Sequence, residues 1–291
     1  VPVRIFLASD APAEAPGPHL PWSARLEVQC PDLALIASGR AARVFDWDRF
    51  DLRIAVRGKG AETIANLFDV DLGWIGAFEI TGSLATADGV YRATELGAHI
   101  QGAGGGRFLA VTDGTASGGR DTPLQIALQG AFGDEPLSVT LASERPLAAF
   151  FEEAAWPFES RIGAAGAELD LRGASTAAGS RVDLYAVLQG EDLGALARRL
   201  GEGEPFAAGR FRASSHAVIE GDARQFDDLE GEIQDLGPWR KVKLAQGRGF
   251  FNPDGSVSAS LAAELDRVPL SLSLQTGGVP AAKDRPFELE A

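Results

Sequence analysis

Val1-Pro-Val-Arg-Ile-Phe-Leu-Ala-Ser9 sets a proline ahead of a strict alternation, with Val3, Ile5 and Leu7 on one side. The same pattern returns in Glu135-Pro-Leu-Ser-Val-Thr-Leu-Ala-Ser143 with Leu137, Val139 and Leu141, and in Val268-Pro-Leu-Ser-Leu-Ser-Leu-Gln-Thr276 with Leu270, Leu272 and Leu274. A period of two puts every second side chain on one face of a β-strand. Proline suits a strand's first residue, where no ladder donor is needed.

Working outward, a second mark follows each copy: Pro21-Trp22, Pro157-Phe158 and Pro286-Phe287. The leading prolines, Pro2, Pro136 and Pro269, stand 134 and 133 positions apart. The interiors agree as well. Val56-Arg-Gly58 answers Leu188-Gln-Gly190, Phe78-Glu-Ile80 answers Phe211-Arg-Ala213, and Ile100-Gln101 answers Ile233-Gln234. Such constancy predicts a repeat of about 133 residues, with two full copies at 1–135 and 136–268 and the start of a third at 269–291. The chain has no methionine and both ends fall inside the repeat, so a fragment of a longer protein with one continuous sheet is expected.

Within each copy, short apolar-alternating runs are separated by turn signals such as Ala87-Asp88-Gly89, Gly118-Gly119 and Asn252-Pro253-Asp254-Gly255. The reading is nine or ten short strands per copy, with separate strands at 90–94 and 96–101 and again at 222–226 and 229–234. The strongest run, 50–56, has Leu52, Ile54 and Val56 on one side and Asp51, Arg53 and Arg57 on the other. Its counterpart at 181–188 carries Val182, Leu184 and Leu188. Each ends at a glycine and gives way to a helical stripe: Ile64, Leu67 and Phe68 at 61–68, and Leu193, Leu196, Ala197 and Leu200 at 192–200. A further helical stretch is expected at 146–155. The expected fold is mainly β, an extended and curled antiparallel sheet forming a taco-like groove, with one or two short helices per repeat. Sequential strands with tight turns form a meander. Wide open sheets must curl or stack, and an apolar face needs a cover or a ligand.

The formal charge of −14 and the lack of a basic stripe argue against nucleic acid and against a basic lipid-headgroup surface. Cys30 is the one cysteine, so no internal disulfide forms. No apolar run reaches the length of a membrane helix. His19, His99 and His216 lack partners at zinc-ligand spacing. No nucleophile elbow is present, Gly102 to Gly106 lacks the phosphate-loop context, and no carboxylate pair stands out. No enzyme, metal site or cofactor is expected. Trp47, Trp74 and Trp156 leave open a carbohydrate-stacking role.

Asp51-Leu-Arg-Ile-Ala-Val-Arg-Gly58, the stretch 61–68 and Gly76-Ala-Phe-Glu-Ile-Thr-Gly-Ser-Leu84 together resemble the AsmA-like family of bacterial envelope proteins, relatives of TamB. So do Asp183-Leu-Tyr-Ala-Val-Leu-Gln-Gly190, Glu191-Asp-Leu-Gly-Ala-Leu196, Glu204-Pro205-Phe206 and Gly209-Arg-Phe211. The family's Gly-Pro-Phe step is replaced here by Gly76-Ala77 and Ala207-Ala208-Gly209. The resemblance implies a periplasmic protein, anchored to the inner membrane by a segment outside these residues. It implies a hydrophobic groove that binds phospholipid acyl chains and conducts them between inner and outer membranes. The alternative it leaves is a β-scaffold that assists outer-membrane assembly with envelope proteins as partners. No catalytic residues come with the family. The groove-lining residues expected are Val3, Ile5, Leu7, Leu52, Ile54, Val56, Leu137, Val139, Leu141, Leu184, Leu188, Leu270, Leu272 and Leu274. The other reading of the same positions is a dry core covered by the helices at 61–68 and 192–200.

Overall fold

The computed structural model describes residues 3–9, 22–43, 46–60, 75–102, 108–152, 154–176, 179–200, 208–252 and 255–276. The chain divides into two compact units, Val1–Ala142 with Pro146–Ala148, and Ser143–Arg145 with Ala149–Ala291. Both are mainly β, and every strand pair in them is antiparallel.

The first unit is a meander of β1 (Val3–Ser9), β2 (Trp22–Gln29), β3 (Leu33–Arg43), β4 (Asp46–Gly58), β5 (Ile75–Ala87), β6 (Val90–Gly102), β7 (Phe108–Gly119), β8 (Pro123–Phe132) and the start of β9 (Glu135–Pro146). Each strand pairs with the next in sequence. The second unit repeats the plan with β10 (Trp156–Ala164), β11 (Ala167–Thr176), β12 (Arg181–Gly190), β13 (Phe211–Glu220), β14 (Ala223–Leu236), β15 (Trp239–Phe251), β16 (Val257–Leu265) and β17 (Val268–Thr276). Its strands also pair in sequence order.

Among the described residues, eight strands run from β1 to the last one before the next proline-led strand, where nine or ten were expected. Two expected breaks are bulges instead. The runs at 90–94 and 96–101 are one strand, β6, in which Glu95 adopts φ 53°. The runs at 222–226 and 229–234 are likewise joined in β14, with Asp228 at φ 50°. A residue forced left-handed inserts one extra position into a strand, so the alternation slips by one and looks like a strand end. β11 and the glycine-rich second half of β15 carry weak strand composition, and their neighbours' pairing holds them in the sheet.

The polar face is laced across strands. Arg57 sits opposite Glu79 and binds it at 2.6 Å. Arg161 faces Asp170 at 2.7 Å, and Glu159 faces Arg172 at 2.8 Å. The Asp170 hydrogen bond and charge raise the Arg161 pKa above its ordinary value. His216 joins Asp183 at 2.7 Å. Exposed cross-strand pairs contribute only ~0.2–1 kcal/mol each, yet they select one register over its neighbours.

Helices are few among the described residues. A 3₁₀ turn spans Leu147–Phe151, where a helical stretch was expected. Helix α1 spans Leu193–Leu200. Asp192 caps it, its Oδ1 accepting the Ala195 amide at 2.7 Å. The expected helix at 61–68 lies outside the described residues.

Candidate functional site: the apolar face of the sheet

The pairing register aligns the proline-led strand alternation with the interior strands row by row. In the first unit one row runs Val3, Val28, Leu35, Val56, Ile80, Ala98, Val111, Gly130 and Leu137, each opposite the next. A second row carries Ile5, Leu26, Ala37, Ile54 and Gly82 at one side and Gly114, Leu128 and Val139 at the other. A third runs Leu7, Ala24, Gly39, Leu52, Leu84, Ala93, Ala116, Ile126 and Leu141. Because side chains alternate faces with a strict period of two, residues linked in this way share one face. Val3, Ile5 and Leu7 enter the rows by backbone register alone.

The second unit builds the same face. One row joins Ile162, Leu169, Leu188, Ala213, Gly231, Leu244, Ala263 and Leu270. Another joins Phe158, Gly173, Leu184, Ala217, Phe226, Gly249, Ala259 and Leu274. Leu272 lies between them, opposite Leu261. Each of the fourteen expected groove positions therefore falls on the apolar face of its own unit.

Large side chains on this face lean over glycines. A Cβ on Gly114 would lie 2.7 Å from Leu128 Cδ2 and 3.0 Å from Leu96 Cβ. One on Gly247 would lie 2.9 Å from Leu261 Cδ1 and 3.1 Å from Leu229 Cβ. Phe78 likewise covers Gly58, and Phe211 covers Gly190. Leucine laid sideways over a glycine buries apolar surface within one sheet, where no second layer is needed.

That lateral tiling is the main burial on offer. No described side chain is less than 2 % exposed, and the most buried apolar residues are mostly alanines and aromatics such as Phe50, Phe78, Trp156 and Phe211. Leu52, Ile54, Val56, Leu137, Val139, Leu141, Leu184 and Leu188 are half-buried, and Leu270 is exposed. A filled two-layer core would bury such leucines completely. The expected helical cover exists at one place in the second unit. There Leu196 of α1 packs with Phe211 and Ala165, supported by Leu188, Leu193 and Ile233. This caps one end of the strands and leaves Leu184, Leu272 and Leu274 outside the cluster.

Among the described residues, two hydroxyls on this face are buried without a hydrogen-bond partner, Thr86 Oγ1 and Ser175 Oγ. Thr86 stands in register between Phe50 and Tyr91, and Ser175 between Trp156 and Val182. The other chemistry considered from the sequence finds these surroundings. Trp156 is buried against Phe150 and Phe158, so it offers no stacking platform. Trp74 and the side chain of Trp47 lie outside the described residues. His99 stacks on Phe108 at 5.5 Å. Among the described residues, no three His, Cys, Asp or Glu side chains gather as a metal site, and no helix is long and apolar enough to cross a membrane. No family model, curated protein or solved structure matches the chain.

Proposed function

We propose that this chain is a lipid-binding segment, each unit contributing a stretch of hydrophobic trough along which phospholipid acyl chains lie. The observation that carries the reading is the row alignment: Val56 with Leu137, Ile54 with Val139, and Leu52 with Leu141 share one face that nothing described covers. An acyl chain laid there leaves water at roughly 0.8 kcal/mol per buried CH₂. The face is mostly apolar and carries no described charged side chain in its rows, so it grips chains without fixing their position, as conduction requires.

The repeat of about 133 residues, the curled groove, a periplasmic location, an anchor in the inner membrane and transfer between inner and outer membranes belong to the same proposal. They rest on the resemblance to AsmA-like proteins. Matching details support the repeat. Glu95 and Asp228 share a bulge, Gly114 and Gly247 share a leucine sandwich, and Gly58 and Gly190 share an aromatic cover. A second reading, a β-scaffold docking an assembly partner, is favoured by one feature, the α1 cap that dries one end of the face.

Native mass spectrometry of gently purified protein, followed by titration with fluorescent phospholipid, tests the choice. Co-purifying lipid and saturable uptake support the trough. Protein free of lipid that takes up none refutes it.

A further inference from the structure

The end of the second unit formed by the β14–β15 and β16–β17 turns departs from the rest of an acidic chain. Arg240, Lys241, Lys243 and Arg267 line a cleft of about 440 Å³ together with Glu264 and Asp266. The lining carries a net +2, or +1 once Glu232, the partner of Lys241, is included, in a molecule of formal charge −14. Asp266 is exposed and reaches across to β15, its carboxylate accepting the backbone amides of Arg240 at 3.1 Å and Lys241 at 2.8 Å. Lys241 pairs with Glu232 at 2.7 Å. Among the described residues, Arg240, Lys243 and Arg267 have no carboxylate within ion-pair distance. Beside these cations stand Trp239, 40 % exposed, and Val268, 64 % exposed.

The backbone supplies a second, independent observation. The described residues contain six two-residue hairpin turns, at 88–89, 133–134, 165–166, 221–222, 237–238 and 266–267. Five hold a glycine at positive φ: Gly89, Gly133, Gly166, Gly221 and Gly237. The sixth is Asp266-Arg267, with φ values of 46° and 79°. Glycine is the residue that takes such angles freely, and a long side chain there is strained. Strain kept where the relaxed residue is used at five sister turns points to a use for the side chain.

We propose that this end is a docking point for anionic phospholipid headgroups at a bilayer surface. Arg240 and Arg267, which have no described carboxylate in ion-pair contact, attract the phosphates together with Lys243, which stands in register between Glu232 and Glu264, and Trp239 suits the headgroup depth, where an amphipathic ring is stable. Charges elsewhere on the chain are screened beyond about 8–10 Å, so the local excess governs contact and the acidic remainder is held away. The sequence shows Arg240, Lys241 and Lys243 as three isolated cations. The pairing of β15 with β16 adds Arg267 and turns Asp266 aside.

Flotation of the full chain with phosphatidylcholine vesicles, with and without phosphatidylglycerol, tests this. Binding is expected only with phosphatidylglycerol, and it weakens as salt rises. Arg267→Gly relieves the turn, so its unfolding midpoint rises by about 2–4 °C while vesicle binding falls about fivefold, the effect of one surface cation. Arg240→Ala with Lys243→Ala loses on the order of 25-fold. Equal flotation with neutral vesicles overturns the proposal, as does unchanged binding by Arg267→Gly. Complete competition by inorganic phosphate also overturns it, since that marks a site for soluble anions. The proposal stands apart from the trough. Failure of fluorescent-lipid uptake with intact vesicle selectivity would sink the trough alone, and the converse result would sink the docking point alone.

Discussion

Leu96 and Leu128 close over Gly114 from either side, and the same arrangement recurs with Leu229 and Leu261 over Gly247. The sandwich depends on the bulges at Glu95 and Asp228, which turn the following leucine onto the apolar face. A side chain at the glycine must displace both neighbours. Gly114→Val is expected to destabilise the protein by about 1–3 kcal/mol, read as a lower denaturation midpoint. Gly60, where an added Cβ meets nothing within 4 Å, is the control and should tolerate alanine.

The two faces of β4 should respond oppositely to charge. Ile54→Asp puts a carboxylate on the apolar face, and Val139→Asp does so from β9 in the same row. Either is expected to abolish uptake of fluorescent phospholipid at protein concentrations where the parent chain saturates. Arg53→Asp changes the adjacent, solvent-facing position and should leave uptake intact. Equal loss in all three variants would show that uptake reports global folding and not the face.

Thr86 and Ser175 carry hydroxyls that gain nothing from burial. A buried polar group without a partner costs about 1–3 kcal/mol. Thr86→Val keeps the shape and removes the penalty, so it should raise stability by about 1 kcal/mol. Ser175→Ala should act in the same direction. Chemical denaturation reads both, and a lower midpoint for Thr86→Val would reveal a partner that the hydroxyl finds in solution.

The Glu232 carboxylate is held below its ordinary pKa, chiefly by the hydrogen bond from Lys241, with Gln234 and the charges of Lys241 and Lys243 adding and partial desolvation opposing. A depressed carboxylate pKa stabilises the folded state above the ordinary carboxylate value. That contribution fades as pH falls through the lowered one. Lys241→Ala should move the Glu232 titration upward, visible by NMR of the side-chain carboxyl carbon. It should also make the acid limb of the stability curve shallower.

Much of this fold is visible in the sequence because a period of two survives wherever a strand is uninterrupted. The triplets Val3/Ile5/Leu7 and Leu52/Ile54/Val56 alternate cleanly, and their rows follow from it. What escaped did so for local reasons. Glu95 and Asp228 are ordinary surface residues, and only pairing on both sides forces their φ positive. Ser160 and Ser215 occupy the apolar face because tiling neighbours shelter them, so composition alone undervalues β10 and β13. The cationic end depends on Asp266 reaching the amides of residues 26 and 25 positions away, a contact that no local pattern announces.

An even number of reversals separates one proline-led strand from the next. β9 therefore sets out in the same heading as β1. The oily side does not depend on that count, because facing residues share one side across every hairpin. A chain built on such a plan can change length by pairs of strands and keep each rim of turns where it was. Loss of a single strand would leave the oily side in place and exchange the two rims for everything downstream.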